Sequence, residues 1–572
     1  MNYTADIKKI ERHFVPKDFV ATNWQSLEPY FKDLLERNIN SPAAFEQWLK
    51  DQSELEAVVS EDACWRQIRM TCDTENKTLE EAFNFFCLEI QPKIQPYSDA
   101  LNKKLVNHPL AADLDKEKYF TYLRNIRKSI ELFKEENIQL QADMAVLQQQ
   151  YGIITGKMTV VVNDKEYTLQ QAAKFLESSD RNLREQVYRK MQERRLQDKD
   201  ALDSLYNQLI EKRNAIARNA DFSSYTGFRF KELGRFDYTE NDCFQFHQAV
   251  KLHVMPLVNK IYQKKKEKLG LASLRPWDID AEPAGTEPLH PFKTGEELVS
   301  KSIECFNKLR PFFGNCLSRM NELKHFDLDS RMGKAPGGYN CPLAESGAPF
   351  IFMNAAGQMH DVTTMVHEGG HAVHSFLAHP LELTGFKEYP MEIAEVASMA
   401  MELFSMDEWE TFFANEDDLK RAKEHQLERV ISIFPWIAII DKFQHWIYKH
   451  PTHSNEERTV EWMKIISEFQ DSVIDYNGLE KYRSNGWQRQ LHLFEVPFYY
   501  IEYGIAQLGA IGMWMQFKKD RQAAMDNYCK ALALGGTRTL PQLYETAGLK
   551  FDFSPERIRV LMDFVKAEME KL

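Results

Sequence analysis

The stretch from His360 to Phe376, HDVTTMVHEGGHAVHSF, constrains this chain more than any other. Val366, Gly370 and Val373 give it the small, apolar face of a helix. Yet Gly369 and Gly370 stand side by side in its middle, where each costs roughly 1 kcal/mol relative to alanine. Three histidines and a glutamate, all awkward to bury, crowd round them. Local rules broken this densely mark a functional site. Residues four apart share a helix face, about 5–6 Å between Cβ atoms, so His367 and His371 project together. The glycines between them either let a second helix pack close to that point or lend the helix flexibility.

The pattern is H-E-x-x-H, in which two imidazoles meet one zinc ion and the glutamate beside them serves as a general base. Glu368 lies a residue further round than His367, placed to take a proton from water instead of ligating. Asp361 is expected to cap a helix starting at Val362. Solvated histidines on a polar helix would not need the surrounding Val, Met and Phe. A catalytic zinc takes a third protein ligand. One pattern puts a histidine six residues after the second, with glycine midway, but Leu377 and His374 occupy those positions. The other takes a glutamate from a following helix, and EYPMEIAEVASMAMELF supplies Glu392, Glu395 and Glu402. Glu392 sits near the helix start, where an acid complements the macrodipole. Glu395 lies among Ala394, Ala397 and Ser398, as close helix packing requires, and is the expected third ligand. Glu402, two turns on, would hold an imidazole from behind. His374 belongs behind a ligand or in the pocket wall.

A chain of 572 residues exceeds what one core usually organises. We expect an N-terminal helical region over 1–185 and a catalytic region over 186–572. The formal net charge of −13 argues against a nucleic-acid partner, which needs a basic face. No apolar run is long enough for a membrane span or a signal-peptide core. The eight cysteines form no C-x-x-C pair and read as reduced thiols, which suits a cytoplasmic protein.

Helical periodicity dominates the rest, as in FEQWLKDQSELEAVVSEDACWRQIRM. Ser178-Ser179-Asp180 offers a stop and a new N-cap within a long helical tract. The charge-rich segments from Asp180 to Lys212 read as solvated faces. KMTVVVNDKEYTL reads as a hairpin round Asn163-Asp164. RPWDIDAEPAGTEPLHPF, with Pro276, Pro283, Pro288 and Pro291, reads as a linker. PFIFMN, just ahead of the histidine helix, has strand composition. The expected fold class is mainly α, with a small β element beside that helix.

HEGGHAVH followed by EIAEVASMAMEL resembles the zinc oligopeptidases typified by oligoendopeptidase F and thimet oligopeptidase. GKAPGGYNCPLAESGAPFIFMNAAGQMHDVTTMVHE upstream and LHLFEVPFYYIEYGIAQLGA downstream are similar to that family's flanking segments, most of all in the oligoendopeptidase F and PZ-peptidase branch. The resemblance implies a multi-helix ellipsoid with a deep substrate channel, one zinc ion on its floor, and short unstructured peptides as substrates. It places ligands at His367, His371 and Glu395 and the general base at Glu368. It places transition-state tyrosines at Tyr500 and Tyr503, with His492 nearby. A phenol hydroxyl can donate to an oxyanion, and residues three apart on a helix can approach one point. Tyr499 reads as packing. A substrate backbone could pair with the edge of the PFIFMN strand. The rivals are a carboxypeptidase or dipeptidyl carboxypeptidase on the same helix, and a zinc-dependent peptide-binding protein without turnover. Nothing in the sequence bears on oligomeric state.

Overall fold

The computed structural model describes residues 3–7, 9–331, 333–335 and 337–572. Helices dominate, as the periodicity requires. Helices α1 (Trp24–Glu36), α2 (Pro42–Cys72), α3 (Gln91–Asn107) and α4 (Phe120–Leu132) build a separate core from Leu27, Phe31, Trp48, Leu101 and Leu105. Leu383 and Phe386, from far along the chain, plug into that core. Thr384 between them donates its hydroxyl to the Ser53 carbonyl at 2.9 Å. The loop following the histidine helix is thereby clamped to the N-terminal lobe.

Strands β1 (Thr159–Val162) and β2 (Lys165–Thr168) form the expected hairpin. Asn163 and Asp164 both take positive φ, at 51° and 60°, the primed turn that matches strand twist. Helix α5 (Arg181–Gln197) starts as expected at Asp180, whose side chain accepts from the Asn182 and Leu183 amides. Its charged residues are not all solvated, however. Arg184 is buried and its guanidinium meets the fully buried Asp278 at 2.7 Å. That pair corrects the linker reading as well. The proline-rich segment has little regular structure, but Trp277, Asp278 and Ala281 are buried in the body of the protein. A desolvated arginine needs a carboxylate, and the segment supplies it.

Helix α6 (Glu240–Ala249) and helix α7 (Gly295–Leu309) precede a three-stranded sheet. Its strands are β3 (Phe326–Asp329), β4 (Tyr339–Cys341) and β5 (Phe350–Ala355), in the order β3-β5-β4. The PFIFMN strand is therefore the central one, parallel to β3 and antiparallel to β4. It has no free edge for a substrate. Its apolar run without alternation is what a strand buried on both faces looks like, and Phe350 through Met353 are all buried.

Helix α8 (Met359–Ala378) carries the histidines. It begins three residues earlier than expected. Asp361 still caps it, from inside: its carboxylate accepts the Ala356 and Gln358 amides at 2.7 and 2.8 Å. Helix α9 (Met391–Ser405) is buried on every side from Glu392 to Ser405, as expected of a central helix apolar all round. Helices α10 (Glu416–Lys449) and α11 (Tyr500–Phe517) complete the surroundings of the site.

The paired glycines now have a steric cause. A Cβ on Gly370 would lie 2.6 Å from Ser398 Cα and 2.7 Å from the Ala397 oxygen, both on α9. A Cβ on Gly369 would strike the Phe306 ring of α7 at 2.6 Å. Close approach, not flexibility, accounts for both.

Candidate metal centre

Because α9 can press against the glycines of α8, a carboxylate of α9 reaches the histidine pair. Glu395 Oε2 lies 3.4 Å from His367 Nε2 and 3.7 Å from His371 Nε2. Tetrahedral zinc with bonds near 2.1 Å separates its ligand atoms by about 3.4 Å. The donor set therefore fits that ion. Glu392 does not reach it, being buried elsewhere and accepting the Tyr238 hydroxyl at 2.7 Å.

Glu402 holds the other face of His367, with Oε1 2.7 Å from Nδ1. That contact reserves the lone pair of Nε2 for the centre. Glu402 is itself held by Gln426, which donates to Oε2 at 2.7 Å and accepts from the Thr363 hydroxyl at 3.1 Å. Burial depresses the pKa of His371 to about 4, so its ring is neutral and ready to ligate. Burial works against the charge on Glu395, yet His371, His367 and Tyr499 together hold its pKa down at about 2. His367 differs: burial opposes its charge, but Glu395 and Glu402 raise its pKa well above the usual histidine value, so a divalent cation would take the place of the Nε2 proton that faces Glu395.

Glu368 is buried. That burial raises its pKa to about 7, with Glu395 and Glu402 adding and His367 opposing. His374 points elsewhere. It is fully buried and stacks on the Tyr389 ring at 3.6 Å between centroids, and neither of its ring nitrogens hydrogen-bonds to the donors or to Glu402.

The tyrosines arrive over a strained turn. Phe498 is buried with φ of 64°, costly for a bulky residue. Its amide is held by the Gln444 side chain and its carbonyl by Arg235. Tyr499, Tyr500 and Tyr503 then gather round His492, with ring centroids 5.9, 5.0 and 5.7 Å from the imidazole. Tyr503 Oη lies 3.3 Å from His492 Nε2, while Gln490 contacts His492 Nδ1 at 2.7 Å. The charged neighbours of Tyr503 are Glu395, Glu368 and Glu502, the first two belonging to the candidate centre, whereas those of Tyr500 are Arg489 and Arg429. Of the two, Tyr503 faces the centre.

Tyr499 corrects the packing expectation. Its hydroxyl donates to Glu395 Oε1 at 2.6 Å, the oxygen that the histidines leave free. The available signal was its spacing of four from Tyr503. Gln426 carried no signal, since a glutamine on a long helix names no partner.

A mainly helical chain whose histidine pair, buried glutamate and incoming carboxylate converge in this way is a metallopeptidase. The known proteins it matches agree. The model of peptidase family M3 covers residues 174–560, and that of the peptidase M3 N-terminal domain covers 14–133. The chain belongs to peptidase family M3. It is 20% identical to an oligoendopeptidase F homolog of Borreliella burgdorferi, over 86% of this chain and 85% of that one. It is 23% identical to oligopeptidase PepF of Bacillus subtilis, over 72% of this chain and 60% of that protein. Its fold matches PZ peptidase A solved with an inhibitor, at a TM-score of 0.92 and 24% identity over 98% and 99% of the two chains.

Proposed function

We propose that this chain is a zinc-dependent oligoendopeptidase that hydrolyses internal bonds of short unstructured peptides. His367, His371 and Glu395 would hold the zinc ion. The observation carrying the reading is the placement of Glu395 Oε2 at 3.4 and 3.7 Å from the two Nε2 atoms. The buried Glu368 stands next to them in the chain. When bound, the ion supplies Lewis acidity, polarising the scissile carbonyl and making water a better nucleophile.

The chain's own groups do the rest. The Glu368 carboxylate takes a proton from the attacking water and hands it to the departing amine nitrogen. A carboxyl poised near neutrality suits both transfers. Burial keeps the phenols of Tyr500 and Tyr503 protonated, the former with a pKa of about 12. Either therefore remains a donor, and Tyr503 is the better placed for the oxyanion because it faces Glu368 and Glu395. His492 orients the Tyr503 hydroxyl through its 3.3 Å contact. Tyr499 fixes Glu395, and Glu402 fixes His367. An extended substrate can add to β4, one of the two outer strands, whose Asn340 side chain donates to the Glu368 carbonyl at 3.3 Å.

The names of the relatives support oligopeptides as substrates. Among the described residues no helix is long and apolar enough to cross a membrane.

The test is Glu368→Gln, assayed on a mixed library of short peptides blocked at both termini. The parent should cleave internal bonds and spare stably folded proteins. The variant should keep about one equivalent of zinc in this site, because a residue beside the ligands is not one of them. It should lose most turnover. Zinc lost along with activity would reject the assigned role.

A further inference from the structure

A second cluster of metal-ligating side chains lies away from the histidine pair of α8. Cys243 and His247 are four apart on α6, and Asp441 and His445 are four apart on α10. Each pair shares one helix face, and the two faces meet. Ligand atoms of Cys243, Asp441 and His445 lie within 4.8 Å of one another. The relative exposures are 0% for Cys243, 2% for His247, 0% for Asp441 and 6% for His445.

The hydrogen bonding of this cluster is incomplete. Asp441 Oδ1 and both ring nitrogens of His445 have no hydrogen-bond partner. His445 Nε2 stands 3.4 Å from Asp441 Oδ2, at ion-pair range but out of hydrogen-bond alignment. Buried polar atoms are almost always satisfied, so such orphans need an explanation. Further groups approach the cluster from its outer side, one in hydrogen-bond contact and one at ion-pair range. His247 Nε2 contacts Asp441 Oδ2 at 2.8 Å and Glu240 Oε2 lies 3.4 Å from His445 Nδ1. That is the arrangement in which outer groups orient metal ligands from behind.

We propose that Cys243, Asp441 and His445 form a second, structural site for a divalent cation, with zinc as the natural occupant. Thiolate, imidazole and carboxylate together favour zinc over hard cations such as magnesium or calcium. His247 orients Asp441 through its 2.8 Å contact with Oδ2. Glu240 and Phe244, which cover the cluster, are 47% and 43% exposed, so the site lies one side chain below the surface. Metal can enter there.

The site has a purpose in the fold. Gln444, next to His445, holds the Phe498 amide, and the His445 ring packs on Phe498 at 5.0 Å. Phe498 is the strained residue that launches Tyr499 and Tyr503 toward the catalytic centre. A cation tying α6 to α10 would brace that turn.

Cobalt substitution tests the proposal. The donors at the catalytic site are nitrogen and oxygen, so thiolate-to-cobalt charge-transfer absorption in the near ultraviolet can come only from a cysteine site. Full-length protein reconstituted with Co²⁺ should bind about two equivalents and show that absorption. Cys243→Ser should abolish the absorption and reduce the stoichiometry to about one, with the far-ultraviolet circular dichroism of the parent retained. His367→Ala combined with His371→Ala should keep the absorption with about one equivalent bound. A cobalt-loaded parent without thiolate absorption, or absorption that survives Cys243→Ser, would overturn the proposal. Should Cys243→Ser not fold, Asp441→Asn takes its place and should lose both the second equivalent and the thiolate absorption; absorption unchanged in Asp441→Asn would overturn the proposal.

Discussion

The Tyr499 hydroxyl donates to Glu395 Oε1 at 2.6 Å while the other oxygen of the same carboxylate faces His367 and His371. One carboxylate is thus shared between a phenol that fixes it and the imidazoles it joins. Under the proposed function, the tyrosine cluster divides into a residue that would position a ligand, Tyr499, and one that would face the reaction, Tyr503.

Tyr499→Phe and Tyr503→Phe should separate these roles. Losing a hydrogen bond behind a metal ligand typically weakens metal affinity 10–100-fold. Tyr499→Phe should therefore show its effect in a competitive zinc titration. Tyr503→Phe should leave zinc affinity unchanged. It should lower kcat on the order of a hundred- to thousandfold, or about 2.7–4 kcal/mol, with KM nearly constant, since its bond forms only with the oxyanion. Steady-state kinetics beside the titration checks both. If Tyr500→Phe alone is impaired, the assignment of the facing residue is wrong.

Glu395→Ala should empty the centre, and Glu392→Ala should leave zinc bound. The reason is positional: Glu395 Oε2 reaches both imidazoles, whereas Glu392 is spent on Tyr238 at 2.7 Å. Metal analysis of the two purified variants decides it, and zinc missing from the Glu392 variant alone would refute the ligand choice.

Gly370→Ala should be strongly destabilising. The added Cβ would stand 2.6 Å from Ser398 Cα and 2.7 Å from the Ala397 oxygen, and backbone cannot step aside. Overpacking of this kind costs about 1–3 kcal/mol, at the upper end where nothing relaxes. Displacement of α9 also carries Glu395 away from the histidines, so zinc affinity should fall too. Gly152→Ala, in the helix Glu135–Gly156 with nothing within 4 Å of its new Cβ, is the control. It should gain roughly 0.5–1 kcal/mol from the lower entropy of the unfolded chain. Thermal unfolding of both variants tests the contrast.

A pH effect follows from the buried Arg235–Glu502 pair, 2.9 Å apart, with Glu392 close by. Burial raises the Glu502 pKa to about 8, with Glu392 adding and Arg235 opposing. An acid whose folded pKa lies above its unfolded value of about 4.3 holds its proton more tightly in the native state. Its contribution to stability is fully present below that unfolded value and is lost as the pH climbs through about 8. Parent protein should melt at progressively lower temperature from pH 5 to pH 8, as an order-of-magnitude window. Glu502→Gln, which mimics the protonated form, should flatten that slope. An unchanged slope would show that another group carries it.

The sequence by itself determined the helical class, the hairpin at Asn163-Asp164 and the four-residue spacing of His367 and His371. Those properties are local: hydrophobic period, turn conformation and helix geometry act within a few residues. It also favoured Glu395 over its neighbours, because small residues flanking a carboxylate signal a close helix contact wherever the partner lies. Tertiary structure alone decided the rest. PFIFMN read as a strand with a free edge, and only the arrival of β3 and β4 made it central. Arg184 resembled a solvated charge until Asp278, distant in the chain, packed against it. Tyr499 passed for core because an aromatic side chain announces its size and not the acceptor its hydroxyl will meet. Hydrogen-bond partners and ligand atoms converge across hundreds of residues, and no periodicity in the chain encodes which distant groups will share a point in space.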